Sequence, residues 1–210
     1  MLRVLITDDH AVVRRGLKQI LEEEFNKVVF GEAQNTREML EHLQKEHWDV
    51  LILDITLPGR SGLELLGELK LTHPNLPVLV LSMHPEDQYG IRVLKSGASG
   101  YMTKESAPDE IVMAIRKLLR GGKYVSPSLA ERLAFNLEVK REKPLHEALS
   151  DREYEVMLMI ASGKTLTEIA QKLDLSIKTV STYRSRILEK TKMRNNAELI
   201  RYAIKNQLVD

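Results

Sequence analysis

Asp8 and Asp9, Asp54, Ser82 and Lys104 are acids, a hydroxyl and an amine, and each follows a short apolar run. Asp54 ends V-L-I-L-D and is followed by Thr56, Pro58 and Gly59. Asp8-Asp9 closes the opening run M-L-R-V-L-I-T, Ser82 closes V-L-V-L, and Lys104 follows Tyr101-Met102-Thr103. Together these groups make a phosphoryl-transfer set. It comprises a carboxylate nucleophile, acids for a hard cation, an ammonium for phosphoryl oxygens and a hydroxyl to hydrogen-bond the product. Three carboxylates in one place repel each other unless a cation neutralises them, and oxygen ligands with water in the remaining positions suit Mg2+. No general base stands out, so an acyl phosphate on Asp54 would hydrolyse slowly. Taken singly, each residue has a plainer reading: a loop aspartate, a helix cap, a turn serine, a solvated lysine.

The elements that must position these groups alternate. Strands are expected at Leu2–Thr7, Val28–Ala33, Val50–Leu53, Pro77–Leu81 and Ser99–Met102, the third as a continuous apolar run buried on both faces. Between them lie helices. The first has Val13, Leu17, Ile20 and Leu21 on one face, the second starts at Asn35 with Glu38, and others cover Gly62–Leu71 and Asp87–Lys95. The last, Pro108–Arg120, places Ile111, Ala114, Ile115, Leu118 and Leu119 at helical spacing and stops at Gly121-Gly122. Five strands alternating with five helices imply a doubly wound parallel α/β sheet, with Asp54 at the carboxyl end of its third strand, where such sheets bind ligands. There is no G-x-G-x-x-G after the first strand and no G-x-x-x-x-G-K-[ST], so a dinucleotide or P-loop function lacks its phosphate cradle.

The bulk numbers narrow the rest. The 210 residues suffice for two small domains with real cores, and 31 Lys+Arg against 30 Asp+Glu leave almost no net charge. The balance is uneven: Ser176–Lys205 holds 8 basic and 2 acidic residues, which suggests a polyanion partner for that end alone. There are no cysteines, no apolar run of membrane-spanning length, and Asp8-Asp9 interrupts the start too early for a signal sequence, so a cytoplasmic protein without a membrane partner is expected. Of the six histidines, His42 and His47 lie five apart, off any common helical face.

The D-D-H run, Asp54 with Pro58-Gly59, Ser82, and Tyr101-x-x-Lys104 resemble the receiver domain of bacterial two-component response regulators, over roughly Met1–Gly122. The resemblance implies a flavodoxin-like (βα)5 fold with strand order 2-1-3-4-5, which would set Asp8 and Asp9 beside Asp54. It implies Asp54 as phospho-acceptor from a sensor histidine kinase. Mg2+ would be bound by Asp8, Asp9, Asp54 and the backbone carbonyl of Thr56. Ser82 and Tyr101 would be a switch pair that turns towards the new charge. Thr56 and His84 would tune dephosphorylation. A phosphatase of the haloacid dehalogenase type also forms an aspartyl phosphate, but it needs a second Asp two residues on, where this chain has Thr56.

Beyond this the pattern is wholly helical. Ser126–Leu137 reads as a short helix and Glu138–Pro144 as a charged linker, giving a receiver over 1–122, a connecting segment over 123–147 and a second domain over 148–210. Ser150 with Glu153 and Thr165 with Glu168 form capping boxes, Ser176 caps a helix to about Lys190, and Asn195 or Asn196 opens the last one. That is a four-helix domain with a helix-turn-helix at its centre. On the third helix Val180, Tyr183 and Ile187 share the face expected to be buried. Lys178, Ser181, Thr182 and Ser185 share the other, with Lys190, Lys192 and Arg194 nearby, as a helix in the major groove requires. The stretch Ile169–Ile187 is similar to the DNA-binding domain of LuxR/FixJ-type regulators, over about Leu149–Lys205. By that resemblance Ser181, Thr182 and Ser185 face bases, Lys178, Thr179, Arg186 and Lys192 contact phosphates, and Arg184 is a further candidate. Ser181 stands where Lys is usual and Tyr183 where His is usual, so the operator cannot be copied from relatives.

The expectation is a DNA-binding response regulator of the NarL/FixJ type. Phosphorylation of Asp54 would control dimerisation and promoter binding, with double-stranded DNA, a sensor kinase, a second copy and RNA polymerase as partners. The alternative is a phosphorylation-independent transcription factor whose receiver only dimerises. A protein-binding output in place of DNA is a third reading.

Overall fold

The computed structural model describes residues 1–57, 62–138 and 144–209, without the side chains of 135–138. The turn residues Pro58 and Gly59 and the middle of the charged linker lie outside the described residues. Contacts divide the chain into two compact units, Met1–Ala134 and Phe135–Asp210.

The first unit holds strands β1 (Leu2–Thr7), β2 (Val28–Ala33), β3 (Val50–Asp54), β4 (Val78–Ser82) and β5 (Gly100–Thr103). Its helices are α1 (Ala11–Glu24), α2 (Thr36–Lys45), α3 (Gly62–Thr72), α4 (Glu86–Lys95), α5 (Ala107–Leu119) and the start of α6 (Pro127–Glu138). The sheet is all parallel in the order β2-β1-β3-β4-β5. The β1-to-β2 connection runs one way along the sheet and every later one runs the other way. Right-handed crossovers therefore put α1 on one face and α2, α3 and α4 on the opposite one. Alternate strand residues follow suit: Val4, Ile6, Val50, Ile52, Leu79, Leu81 and Met102 join Leu17, Leu21, Ile111 and Ile115 of α1 and α5 in one core.

The expected elements are all present, with ends moved by about one residue, and two of those shifts matter. Ser82 and Thr103 are paired strand residues, so Ser82 is fixed by the sheet and is not a turn residue. On α5, Ile111, Ala114, Ile115 and Leu118 are buried while Leu119 is exposed, because eight residues at 3.6 per turn carry it about 80° off the stripe. Residues 123–134, read from sequence as the start of a connecting segment, pack on the first unit: Tyr124 pairs with Gly100 and Leu129 is fully buried.

The second unit contains a 3-10 turn at Leu145–Ala148, then α7 (Asp151–Ala161), α8 (Leu166–Leu173), α9 (Ile177–Thr191) and α10 (Asn196–Lys205). Both capping boxes form, at Ser150/Glu153 and Thr165/Glu168, and Ser176 and Asn195 cap the other two helices. Asp174 adopts a left-handed conformation (φ 53°) and turns the chain from α8 into α9. Val180 and Ile187 of α9 are buried. Tyr183 is only half-buried, being about 60° from Val180 around the helix. In α10, Leu199 and Ala203 are buried within the unit while Ile204 is exposed.

Glu153 ties this unit together. Its buried carboxylate accepts from the Ser150 N–H at 2.8 Å and from the Lys190 ammonium of α9 at 2.6 Å. Burial alone would raise its pKa, but Lys190 and Ser150 outweigh burial and hold it below the usual carboxylate range. A folded pKa below the unfolded one adds stability above the unfolded value, and that stability is lost as pH falls through the folded one. Glu153→Gln should therefore cost about 1 kcal/mol at neutral pH. It should also flatten the loss of stability below about pH 4.3, measured by urea unfolding of the full chain across pH.

Candidate functional site

Register alone assembles the first cluster. Thr7 pairs with Leu53, so Asp8 and Asp54 leave the sheet side by side. Asp54 pairs with Leu81 and Ser82 with Thr103, and the Lys104 N–H donates to the Ser82 carbonyl at 2.8 Å. The carboxyl edges of β1, β3, β4 and β5 thus deliver Asp8, Asp54, Ser82 and Lys104 to one place.

Asp8 and Asp54 are each 1% exposed, and the Lys104 ammonium lies 2.7 Å from Asp8 Oδ2 and 2.5 Å from Asp54 Oδ2. Burial works against the charged lysine. Hydrogen bonds and charge from Asp54 and Asp8 more than compensate and hold its pKa above the usual range. The other Asp54 oxygen, Oδ1, accepts from the Thr56 N–H at 2.7 Å and from the Thr56 hydroxyl at 2.5 Å. Asp9 is exposed at the mouth, and ligand atoms of Asp8, Asp9, His10 and Asp54 lie within 4.8 Å of one another.

Two members of this site escaped the sequence reading. His10 was only part of a quoted run, yet its Nδ1 sits 2.7 Å from Asp9 and 3.1 Å from Asp8. Arg14 is a buried cation within the packed side of α1. Its guanidinium donates to the Asp8 carbonyl at 2.8 Å and to Glu32 at 3.0 Å, which fixes the acidic loop from beneath. The signal available was a basic residue three before Leu17, inside the apolar stripe. Lys18 first and Arg14 second hold Glu32 below the usual carboxylate range.

Ser82 is fully buried and its oxygen accepts from the His84 N–H at 3.0 Å. Tyr101 is fully buried as well, with its hydroxyl donating to the His84 carbonyl at 2.7 Å. Burial pushes the Tyr101 phenol far above its usual range, so it stays a proton donor. The half-buried His84 ring stacks on Tyr89 of α4, with centroids 4.5 Å apart.

α4 carries a second contact. Glu86, its first residue, accepts from the hydroxyls of Ser126 and Ser128 at the start of α6. Leu129 packs so closely over Gly90 that a Cβ there would lie 2.9 Å from both leucine methyls. Tyr124 is held by Glu110 of α5 and, through its N–H, by the Ser99 carbonyl at 2.9 Å.

In the second unit, α8 and α9 form the helix-turn-helix. Lys178, Ser181, Thr182, Ser185, Arg186 and Lys192 are exposed, with Lys192 in a left-handed cap (φ 57°). Two other expected DNA residues already have partners in the unit. Thr179 bonds the capping Ser176, and the half-buried Arg184 donates to Asn196 at 2.7 Å. α9 has no acidic residue in its first turn, which leaves the positive end of its dipole uncompensated.

The comparisons agree with this architecture. The response regulator receiver domain family matches residues 4–116, and the luxR family of bacterial regulatory proteins matches residues 147–203. Response regulator GacA of Pseudomonas viridiflava is 37% identical, the match covering 100% of this chain and 99% of GacA. Response regulator UvrY of Escherichia coli K12 is 34% identical, covering 99% and 96%. RcsB from Salmonella enterica serovar Typhimurium, solved bound to promoter rprA in the presence of phosphomimetic BeF3−, superposes with a TM-score of 0.65 at 30% identity, covering 96% and 98%. This chain belongs to the two-component response regulators that join a receiver domain to a luxR-family DNA-binding domain.

Proposed function

We propose that Asp54 accepts a phosphoryl group from the phosphohistidine of a sensor kinase, and that this controls dimerisation and promoter binding through α9. The observation that carries the reading is the single Lys104 ammonium shared by two buried carboxylates, Asp8 and Asp54. In the transfer, an Asp54 oxygen attacks phosphorus. A P–O bond forms as the P–N bond to the donor imidazole breaks, with its electron pair left on nitrogen. Oδ2, which accepts from Lys104, has capacity for the bond to phosphorus, and release of the Thr56 hydroxyl from Oδ1 would open a position there for a cation. Lys104 is within reach of the acceptor and pairs with phosphoryl oxygens, and Ser82 meets them with its hydroxyl proton. Thr56 offers no acid or base for hydrolysis, so the product persists and its lifetime sets the signal.

Asp8, Asp9, Asp54 and the Thr56 backbone carbonyl would hold Mg2+. Their donors are hard oxygens, and three carboxylates against one ammonium leave two negative charges, which a divalent cation balances. When bound, the ion supplies positive charge to the phosphoryl oxygens.

The signal leaves through α4. Ser82 and Tyr101 both hold His84, and Glu86, two residues on, holds α6. A phosphoryl group that draws the Ser82 hydroxyl away loosens this chain and with it the start of α6. Functionally we divide the protein into receiver 1–122, connecting segment 123–147 and DNA-binding domain 148–210, with α6 as the reporter between them. The implied partners are the kinase, a second copy, promoter DNA and, at the promoter, RNA polymerase, all in the cytoplasm. No helix of the described residues is long and apolar enough to cross a membrane.

Acetyl phosphate with Mg2+ should raise duplex affinity and dimer content of the wild-type chain and leave Asp54→Asn unchanged, read by anisotropy and sedimentation. An equal response from both proteins overturns the acceptor assignment. Lys104→Ala leaves two buried carboxylates without their cation and should destabilise the receiver by roughly 3 kcal/mol in urea unfolding, with Mg2+ restoring part of the loss. Hydrogen exchange at 127–134 should quicken when beryllofluoride and Mg2+ are added. It should be quickened beforehand, by about tenfold, in Ser126→Ala/Ser128→Ala. Unchanged protection of α6 under beryllofluoride removes it from the output path.

A further inference from the structure

Among side chains that read bases in pairs, the outward face of α9 offers the exposed cations Lys178 and Arg186. It contains no Asn or Gln, and Arg184 is engaged by Asn196. The Thr182 and Ser185 hydroxyls donate back to the Lys178 and Ser181 carbonyls at 3.0 and 3.1 Å, so they face outward as acceptors and carbon. Ser176 and Thr179 are occupied with each other at the cap.

Beside these hydroxyls stands Ile177, the first residue of the helix, with 52% of its surface exposed. An apolar clasp over a helix start uses the residue before the cap and the fourth in the helix. Those are Leu175 and Val180, and both are at least partly covered. Ile177 has no part in that clasp. A lone exposed apolar side chain needs no partner on an ordinary surface. This one lies one helical turn from Ser181, on the end of the second helix of a helix-turn-helix that approaches base edges. In the major groove only thymine offers an apolar group, its C5-methyl.

We propose that Ile177 is a specificity-determining residue whose side chain packs on a thymine C5-methyl in each half-site. The inference rests on the reading that α9 enters the major groove, and the test separates the two. Duplexes selected from a random pool by the full-length protein define the half-site. Each thymine in it is then replaced in turn by uracil, which removes the methyl group and leaves the pairing edge intact. Affinities are measured for wild type and Ile177→Ser, whose folding is checked by circular dichroism and urea unfolding. At one position uracil should weaken the wild type about fourfold, the worth of one buried methyl group. Ile177→Ser should be weakened by a similar factor on thymine and should lose nothing further on uracil. If uracil costs both proteins the same at every position, Ile177 reads no methyl and the inference falls. If no duplex is bound with an affinity that falls steeply with salt, the groove reading itself fails.

Discussion

One ammonium between two buried carboxylates sets the terms for the receiver. Asp8 and Asp54 are almost wholly removed from water, where an unpaired carboxylate costs several kcal/mol. Two such charges side by side repel each other, and a cation between them offsets that repulsion. Lys104 is that cation, and it is itself buried enough to need both acids. With Asp9 at the mouth the cluster keeps an excess of negative charge, so its stability depends on the cations that face it. On the proposed reading, a phosphoryl group on Asp54 adds about two negative charges and three acceptor oxygens beside Lys104. Arg14 holds the Asp8 carbonyl from below, which anchors the backbone of the acidic loop.

Much of this was legible in the residues, and the limits have physical causes. Apolar runs of strand length ending in Asp8, Asp54 and Ser82 announce strand ends, because only a buried parallel strand uses so many Val, Leu and Ile in succession. Which strands are neighbours is a different matter. It depends on the direction of each crossover, which no local pattern encodes, and the order came from the family resemblance. Once β1 lies beside β3, the register does the rest. What stayed hidden was long-range polar pairing: Glu86 with Ser126 is a contact across 40 residues with no local signature. Nor does any local pattern announce that Thr179 and Arg184, expected as contacts for DNA, also have partners inside their own unit.

Those internal partners change how the second domain must work. Of the basic residues on and after α9, Lys190 belongs to Glu153, Arg184 to Asn196, and Arg194 lies 3.4 Å from Glu198. The exposed cations not so engaged near the groove face are Lys178, Arg186 and Lys192. Counterion release by a few side chains gives weak attraction per domain, since affinity scales with the number of phosphates neutralised. Two linked copies on two half-sites multiply that attraction without any new contact. On the proposed reading, such a face makes pairing of two domains an effective control of binding.

The route from Asp54 to that pairing has to be carried by few groups, and their protonation narrows it further. Burial raises the Tyr101 phenol far above its usual range, so it stays protonated and donates to the His84 carbonyl. Ser82 does not ionise. The Ser82 and Tyr101 hydroxyls that hold the His84 backbone are both uncharged at neutral pH. The next group along, Glu86, lies at the start of α4, where a carboxylate is favoured by the helix dipole. It holds α6 by neutral hydroxyls, each bond worth on the order of 1 kcal/mol. On the proposed reading, a latch of that strength opens with a shift of α4 and closes again when the phosphoryl group leaves.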